Sequence, residues 1–86
     1  EDERALFAIL ARLMPGQALR PEADFFRDLG GHSLLAARLV SALRQTPAYA
    51  RLGVGDLYRE RTLEKLARAM AAVRAHAAEL RALPRP

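Results

Sequence analysis

Three observations predict an all-α chain, a small bundle of four helices with three long and one short. Apolar residues recur at helical spacing in three separate stretches. No stretch alternates apolar and polar residues as a half-buried strand would. The length of 86 residues, 51% of them apolar, suffices for one small core and not for two.

The first helix is predicted over residues 2–14. Leu6, Ile9, Leu10 and Leu13 form its stripe, widened by Phe7 and Met14. Asp2 and Glu3 suit its positive N-terminus, and Pro15-Gly16 stops it. A long connection without a period covers residues 15–32, with Phe25 and Phe26 placed to anchor it in the core. The second helix is predicted over residues 33–45, on Leu35, Ala36, Leu39, Val40 and Leu43. Thr46-Pro47 ends it, because a residue before proline avoids helical geometry. Residues 48–52 suit a helical turn. A short third helix follows over 56–60, with Asp56 as its N-cap. The last helix is predicted over 63–81, capped by Thr62. Its stripe runs Leu63, Leu66, Ala67, Met70, Val73, Ala77 and Leu80, and Glu64 and Arg68 are spaced to pair.

Composition narrows the function. The chain has no cysteine, so disulfide, thiol and cysteine-metal chemistry are excluded. Its two histidines, His32 and His76, are too far apart in sequence to suggest a zinc site, and no metal site is expected. No apolar run is long enough to span a bilayer, and the acidic start Glu1-Asp2-Glu3 does not resemble a signal peptide. These features predict a cytoplasmic domain. The absence of an initiator Met and the ending Leu83-Pro84-Arg85-Pro86 suggest a piece of a longer chain, with a domain over 1–82 and a linker over 83–86. The net charge is +4 and uneven. Residues 1–37 hold four Arg against six acids, whereas residues 38–86 hold nine Arg and Lys65 against four. Such a basic half is compatible with a small helical nucleic-acid-binding domain, the main alternative function. Against it, Glu60, Glu64 and Glu79 break up the charge, and no helix combines clustered Arg with Asn or Gln as base-reading side chains.

The informative segment is Phe25-Phe26-Arg27-Asp28-Leu29-Gly30-Gly31-His32-Ser33-Leu34-Leu35. Two glycines precede a serine at the start of an apolar helix. They permit a tight turn and leave the approach to Ser33 clear. A serine at a helix start is ordinarily an N-cap. The same position also suits a phosphodiester, because helix N-termini present free N–H groups and a positive dipole. Leu34 falls opposite the apolar face, beside Ala37, Arg38 and Ser41, which marks it as a candidate partner contact. A hydrolytic serine is disfavoured. The nucleophile elbow needs glycine two residues after the serine and a sheet beneath, but that position is Leu35 and no sheet is predicted. His32 is a sequence neighbour, predicted to hydrogen-bond locally or pack in the loop.

The run from Phe25 to Leu35 resembles the core motif of peptidyl carrier (thiolation) domains of nonribosomal peptide synthetases, within the acyl carrier superfamily. The resemblance extends over most of the chain and implies a bundle of the acyl-carrier type. It implies that a phosphopantetheinyl transferase attaches 4′-phosphopantetheine from coenzyme A to Ser33, using Mg²⁺ held mainly by the transferase. By the same resemblance Asp28, Gly30, Gly31 and His32 shape the loop that the transferase reads, and Leu34 matches an apolar position that partners contact; Arg38, on the same side of the helix, is a further candidate partner contact. The domain would catalyse nothing itself. It would carry aminoacyl or acyl groups as thioesters between adenylation, condensation, thioesterase or reductase domains of a larger enzyme, and behave alone as a monomer. His32 before the serine and the basic net charge resemble peptidyl rather than fatty-acid carriers. The stretch from Pro47 to Gly55 departs from the family pattern.

Overall fold

The computed structural model describes residues 2–82, so the linker expected over 83–86 lies outside the described residues, as does Glu1. The described residues form four α-helices and one 3₁₀ turn. These are α1 (Asp2–Leu13), α2 (Ser33–Leu43), the 3₁₀ turn (Pro47–Tyr49), α3 (Val54–Glu60) and α4 (Leu63–Ala82). The predicted four-helix bundle of acyl-carrier type is therefore observed, with α3 as its short member.

One core joins all the elements. Leu6 and Leu10 of α1 meet Ala36, Leu39 and Leu43 of α2, Leu57 of α3, and Leu63, Leu66 and Met70 of α4. Phe25 from the connection is fully buried among them, and Phe26 packs against them half-buried, as predicted. Each fully buried side chain of this size contributes about 1.5–3 kcal/mol by leaving water.

Several local details differ from the sequence reading, among them the end of α2, which comes at Leu43 rather than at residue 45. The helix α3 starts two residues early, at Val54. Asp56 is not its N-cap but its third residue, with Gly53 in the cap position. Asp56 Oδ2 reaches back to accept the Gly53 N–H at 2.8 Å, which satisfies a donor the helix leaves free. The helical turn begins at Pro47 rather than residue 48; proline's fixed φ suits the first position. Glu64 and Arg68 form no ion pair among the described residues. Finally, the buried stripe of α4 stops at Met70. Val73 and Ala77 are half-buried and Leu80 is 41% exposed, because the helix outruns the core it packs on.

Asp2 and Glu3 lie in the first turn of α1 as predicted, and Asp2 has a further role. It is only 8% exposed. Its Oδ1 accepts the Tyr49 hydroxyl and, at 2.9 Å, Arg74 Nε; its Oδ2 accepts Arg74 Nη2 at 2.8 Å. The Arg74 hydrogen bonds, outweighing burial and aided by Tyr49, hold the Asp2 carboxyl at about 2. Burial first, then the Asp2 carboxylate, pushes the Tyr49 phenol up to about 12. This cluster fastens the start of α1 and the 3₁₀ turn to α4.

Candidate functional site

The connection leading to Ser33 is ordered by its own backbone and by the α3–α4 junction. Asp24 sits at its centre, 5% exposed. Asp24 Oδ1 accepts the N–H groups of Phe26 (2.8 Å) and Arg27 (2.9 Å), the side-chain turn that aspartate favours. The Asp24 N–H donates to Asp28 Oδ2 at 2.8 Å, and the Asp24 carbonyl accepts from Asp28 and Leu29. Burial opposes ionisation of Asp24, but the Arg27 N–H, the Arg61 side chain and the Phe26 N–H together lower its pKa. The hydrogen bond from the Asp24 N–H is the main cause that lowers that of Asp28.

The junction holds this turn from the other side. An isolated antiparallel bridge joins Asp24 and Thr62. Phe25 N–H donates to the Arg61 carbonyl (2.8 Å), Leu63 N–H to Ala23 (3.0 Å) and Glu64 N–H to Pro21 (2.7 Å). Thr62 caps α4 as predicted, its Oγ1 accepting the Lys65 N–H at 3.4 Å. Arg61 Nε donates to Asp24 Oδ2 at 3.0 Å, and its guanidinium carbon lies 5.2 Å from the Phe26 ring centroid. Phe26 stacks on Tyr58 at 4.6 Å with 15° between the planes.

The turn then passes through the glycine pair. Gly30 takes φ +70, which costs a residue with a side chain about 1–2 kcal/mol. Gly31 is needed for space: a Cβ there would lie 2.7 Å from Phe25 Cζ and closer still to Cδ2 and Cε2. Gly31 N–H donates to the Phe25 carbonyl at 2.9 Å, the last tie before the helix.

Ser33 is the first residue of α2, not its N-cap as the local reading had it. His32 holds the cap position with extended backbone and no capping side-chain bond. The His32 carbonyl accepts the Ala36 N–H at 2.8 Å. The His32 ring is exposed rather than packed, and among the described residues neither it nor the Ser33 hydroxyl forms a side-chain hydrogen bond. Ser33 is exposed, so its Oγ is open to a partner. The first turn of α2 contains no acidic residue, and its free N–H groups are suited to an anion attached at Ser33. Leu34 is 57% exposed beside it, and Arg38 is exposed one turn on.

The predicted residues Asp28, Gly30, Gly31, His32, Ser33, Leu34 and Arg38 thus fall on one continuous stretch of turn and helix. Of the residues that hold that stretch, Phe26 belongs to the motif, whereas Asp24, Tyr58 and Arg61 carry no comparable sequence signal. Asp24 before two aromatic residues is a weak turn cue. The arginine surplus is partly consumed inside the molecule, since Arg59, Arg61 and Arg74 are paired with carboxylates.

Comparison with known proteins agrees with this geometry. The chain is 47% identical over 68 residues to delta-poly-L-ornithine synthetase of Acinetobacter baumannii, covering 79% of this chain and 5% of that protein. It is 44% identical over 66 residues to pyochelin synthetase PchE of Pseudomonas aeruginosa, covering 77% of this chain and 4% of that protein. It is 36% identical over 72 residues to nonribosomal peptide synthetase ecdA of Aspergillus rugulosus, covering 81% and 1% respectively. The chain therefore spans about one twentieth or less of these relatives. No solved structure matches it. The family model described as the phosphopantetheine attachment site matches residues 4–70, and the chain belongs to that family, carrier domains that tether biosynthetic intermediates on covalently attached 4′-phosphopantetheine.

Proposed function

We propose that Ser33 is the attachment residue, and that this chain is a peptidyl carrier domain of a cytoplasmic nonribosomal peptide synthetase. The observation that carries the assignment is the exposed Ser33 hydroxyl on the first residue of α2, whose opening turn contains no acid. The Ser33 Oγ would bond to the phosphorus of coenzyme A's phosphopantetheine while the nucleotide portion leaves. Serine is a weak nucleophile without an adjacent base, so a transferase must take its proton. First-turn N–H groups would hold the phosphodiester oxygens and orient the arm away from the bundle. The attached arm supplies a terminal thiol, which this cysteine-free chain lacks. Tethering raises the concentration of its cargo at each partner's site.

Asp28, Gly30, Gly31 and His32 then set the loop shape that the transferase reads. Leu34 supplies apolar contact and Arg38 charge to partners, which are a phosphopantetheinyl transferase and adenylation, condensation, thioesterase or reductase domains. The domain itself is non-catalytic and monomeric in this reading.

The test is intact-protein mass after incubation with coenzyme A, Mg²⁺ and a broad-specificity phosphopantetheinyl transferase. One arm should be added to the wild type and none to Ser33→Ala. An unmodified wild type that is folded by circular dichroism sinks the assignment.

A further inference from the structure

We propose that Arg61 is a positioning residue for the loading of Ser33: through Asp24 and Phe26 it holds the turn that ends at the serine in the shape a transferase engages. This rests on the carrier reading above and adds a residue outside the serine motif, 28 positions along the chain from Ser33.

The backbone of Arg61 gives the first indication. It is the one non-glycine residue with positive φ among the described residues, at φ 61 and ψ −49. The Thr62 N–H donates to the Glu60 carbonyl at 2.7 Å and closes a γ-turn around it. This turn is rare and strained for a residue with a side chain, and such strain persists where the surroundings over-determine it. Glycine would sit there at lower cost. An arginine there is explained only by what its side chain and carbonyl reach.

Both reach the serine-bearing turn. The carbonyl accepts the Phe25 N–H. The guanidinium donates to Asp24 Oδ2 and, at 3.5 Å, from Nη2 to Oδ1, while covering the Phe26 ring. Asp24 is the hub of that turn, since its carboxylate also organises the N–H groups of Phe26 and Arg27. Removing Arg61 would leave a buried carboxylate with backbone donors alone. The turn would then sample other shapes, and a transferase that needs one shape would meet it less often. Its apparent affinity falls by the fraction of chains in that shape.

The experiment is steady-state loading of the apo chain from coenzyme A by a phosphopantetheinyl transferase, at a temperature where circular dichroism shows every variant folded. The variants are Arg61→Ala, Arg61→Gly, Arg61→Lys and, as a control weakened at the far end of the bundle, Asp2→Asn. Arg61→Ala should raise KM for the apo chain about tenfold with kcat changed less than about twofold, the split expected when the competent shape is depopulated. Arg61→Gly should match it although it relieves the γ-turn. Arg61→Lys should recover part of the loss, and Asp2→Asn should load as the wild type does. Amide exchange at Phe26, Arg27 and Gly31 should quicken in Arg61→Ala alone of the Ala and Asn variants. Unchanged KM in both Arg61→Ala and Arg61→Gly would overturn the inference. So would an equal rise in Asp2→Asn, because loading would then merely follow stability. Wild-type loading by Arg61→Gly would place the effect in the backbone rather than the ion pair, and also overturns it. A wild type that gains no mass overturns the carrier reading itself, and this inference with it.

Discussion

Two aspartates, each nearly buried and each gripped by an arginine, sit at the start and just past the middle of α4. Asp24 pairs with Arg61 just before the helix, and Asp2 pairs with Arg74, about 16 Å along the helix from its first residue at 1.5 Å per residue. The chemistry is the same, yet the surroundings differ. Asp24 also gathers two backbone N–H groups from the turn that leads to Ser33. Among the described residues the Asp2 carboxylate bonds only side chains, Arg74 and Tyr49, and joins elements apart from Ser33. An ion pair woven into a loop's backbone fixes the shape of that loop; an ion pair between side chains fixes only which elements lie together. Damage at the first end should therefore reach loading, and damage at the second should stop at stability.

The harshest way to break the serine end is Gly31→Ala. The new Cβ would collide with the Phe25 ring, which is fully buried and has no free space to enter. Overpacking of this kind costs about 3 kcal/mol, and urea unfolding should show it. Gly30→Ala is the matched control one residue away. Its Cβ meets nothing within 4 Å, so only the positive φ is strained, at about 1 kcal/mol. Equal losses in the two variants would mean that Phe25 does not hold the turn against Gly31.

At the far end, Asp2→Asn should cost about 2 kcal/mol at neutral pH, the worth of lowering a carboxyl from its ordinary 3.8 to about 2. The sign follows from the direction. A lowered folded-state pKa contributes stability above 3.8, which is lost as pH falls from there toward 2. Unfolding free energy should thus fall through that window in the wild type. The Asn variant should show a shallower fall, retaining the part due to Asp24, whose pKa is also lowered. Urea midpoints at a series of acid pH values measure this, and identical slopes would remove Asp2 from the acid response.

What was legible in the sequence follows the same division. The segment from Phe25 to Leu35 could be read because its parts are contiguous, and helix spacing exposed Leu6, Leu39 and Leu66 as core. The two ion pairs could not be read. Asp24 and Arg61 are 37 residues apart and Asp2 and Arg74 are 72 apart, and a pairing across such distances leaves no local pattern. The left-handed backbone of Arg61 was invisible for a related reason: nothing in Glu60-Arg61-Thr62 favours it, and tertiary contacts impose it. The start of α3 was misplaced for a local reason. Asp56 suits a cap position by residue type, but it supplies its cap from the third position of the helix, with Gly53 ahead of it. Pro47 to Gly55 departed from the family motif as a string. In space it contributes Tyr49 and Leu52 to the core.

Tyr49→Phe tests the finest part of the contrast, because it removes one hydroxyl and leaves the Asp2–Arg74 pair intact. The ring is 5% exposed and keeps its packing, so the loss should be about 1 kcal/mol, that of one buried hydrogen bond. The hydroxyl also gives this end an alkaline signature. The Tyr49 pKa is raised to about 12 from 10.0, so its contribution is present below 10 and disappears as pH rises toward 12. The phenylalanine variant should lack that fall while loading at Ser33 proceeds unchanged. A variant that kept the alkaline fall would show that Tyr49 is not its source. The two ends would then differ less in their electrostatics than their hydrogen bonds imply.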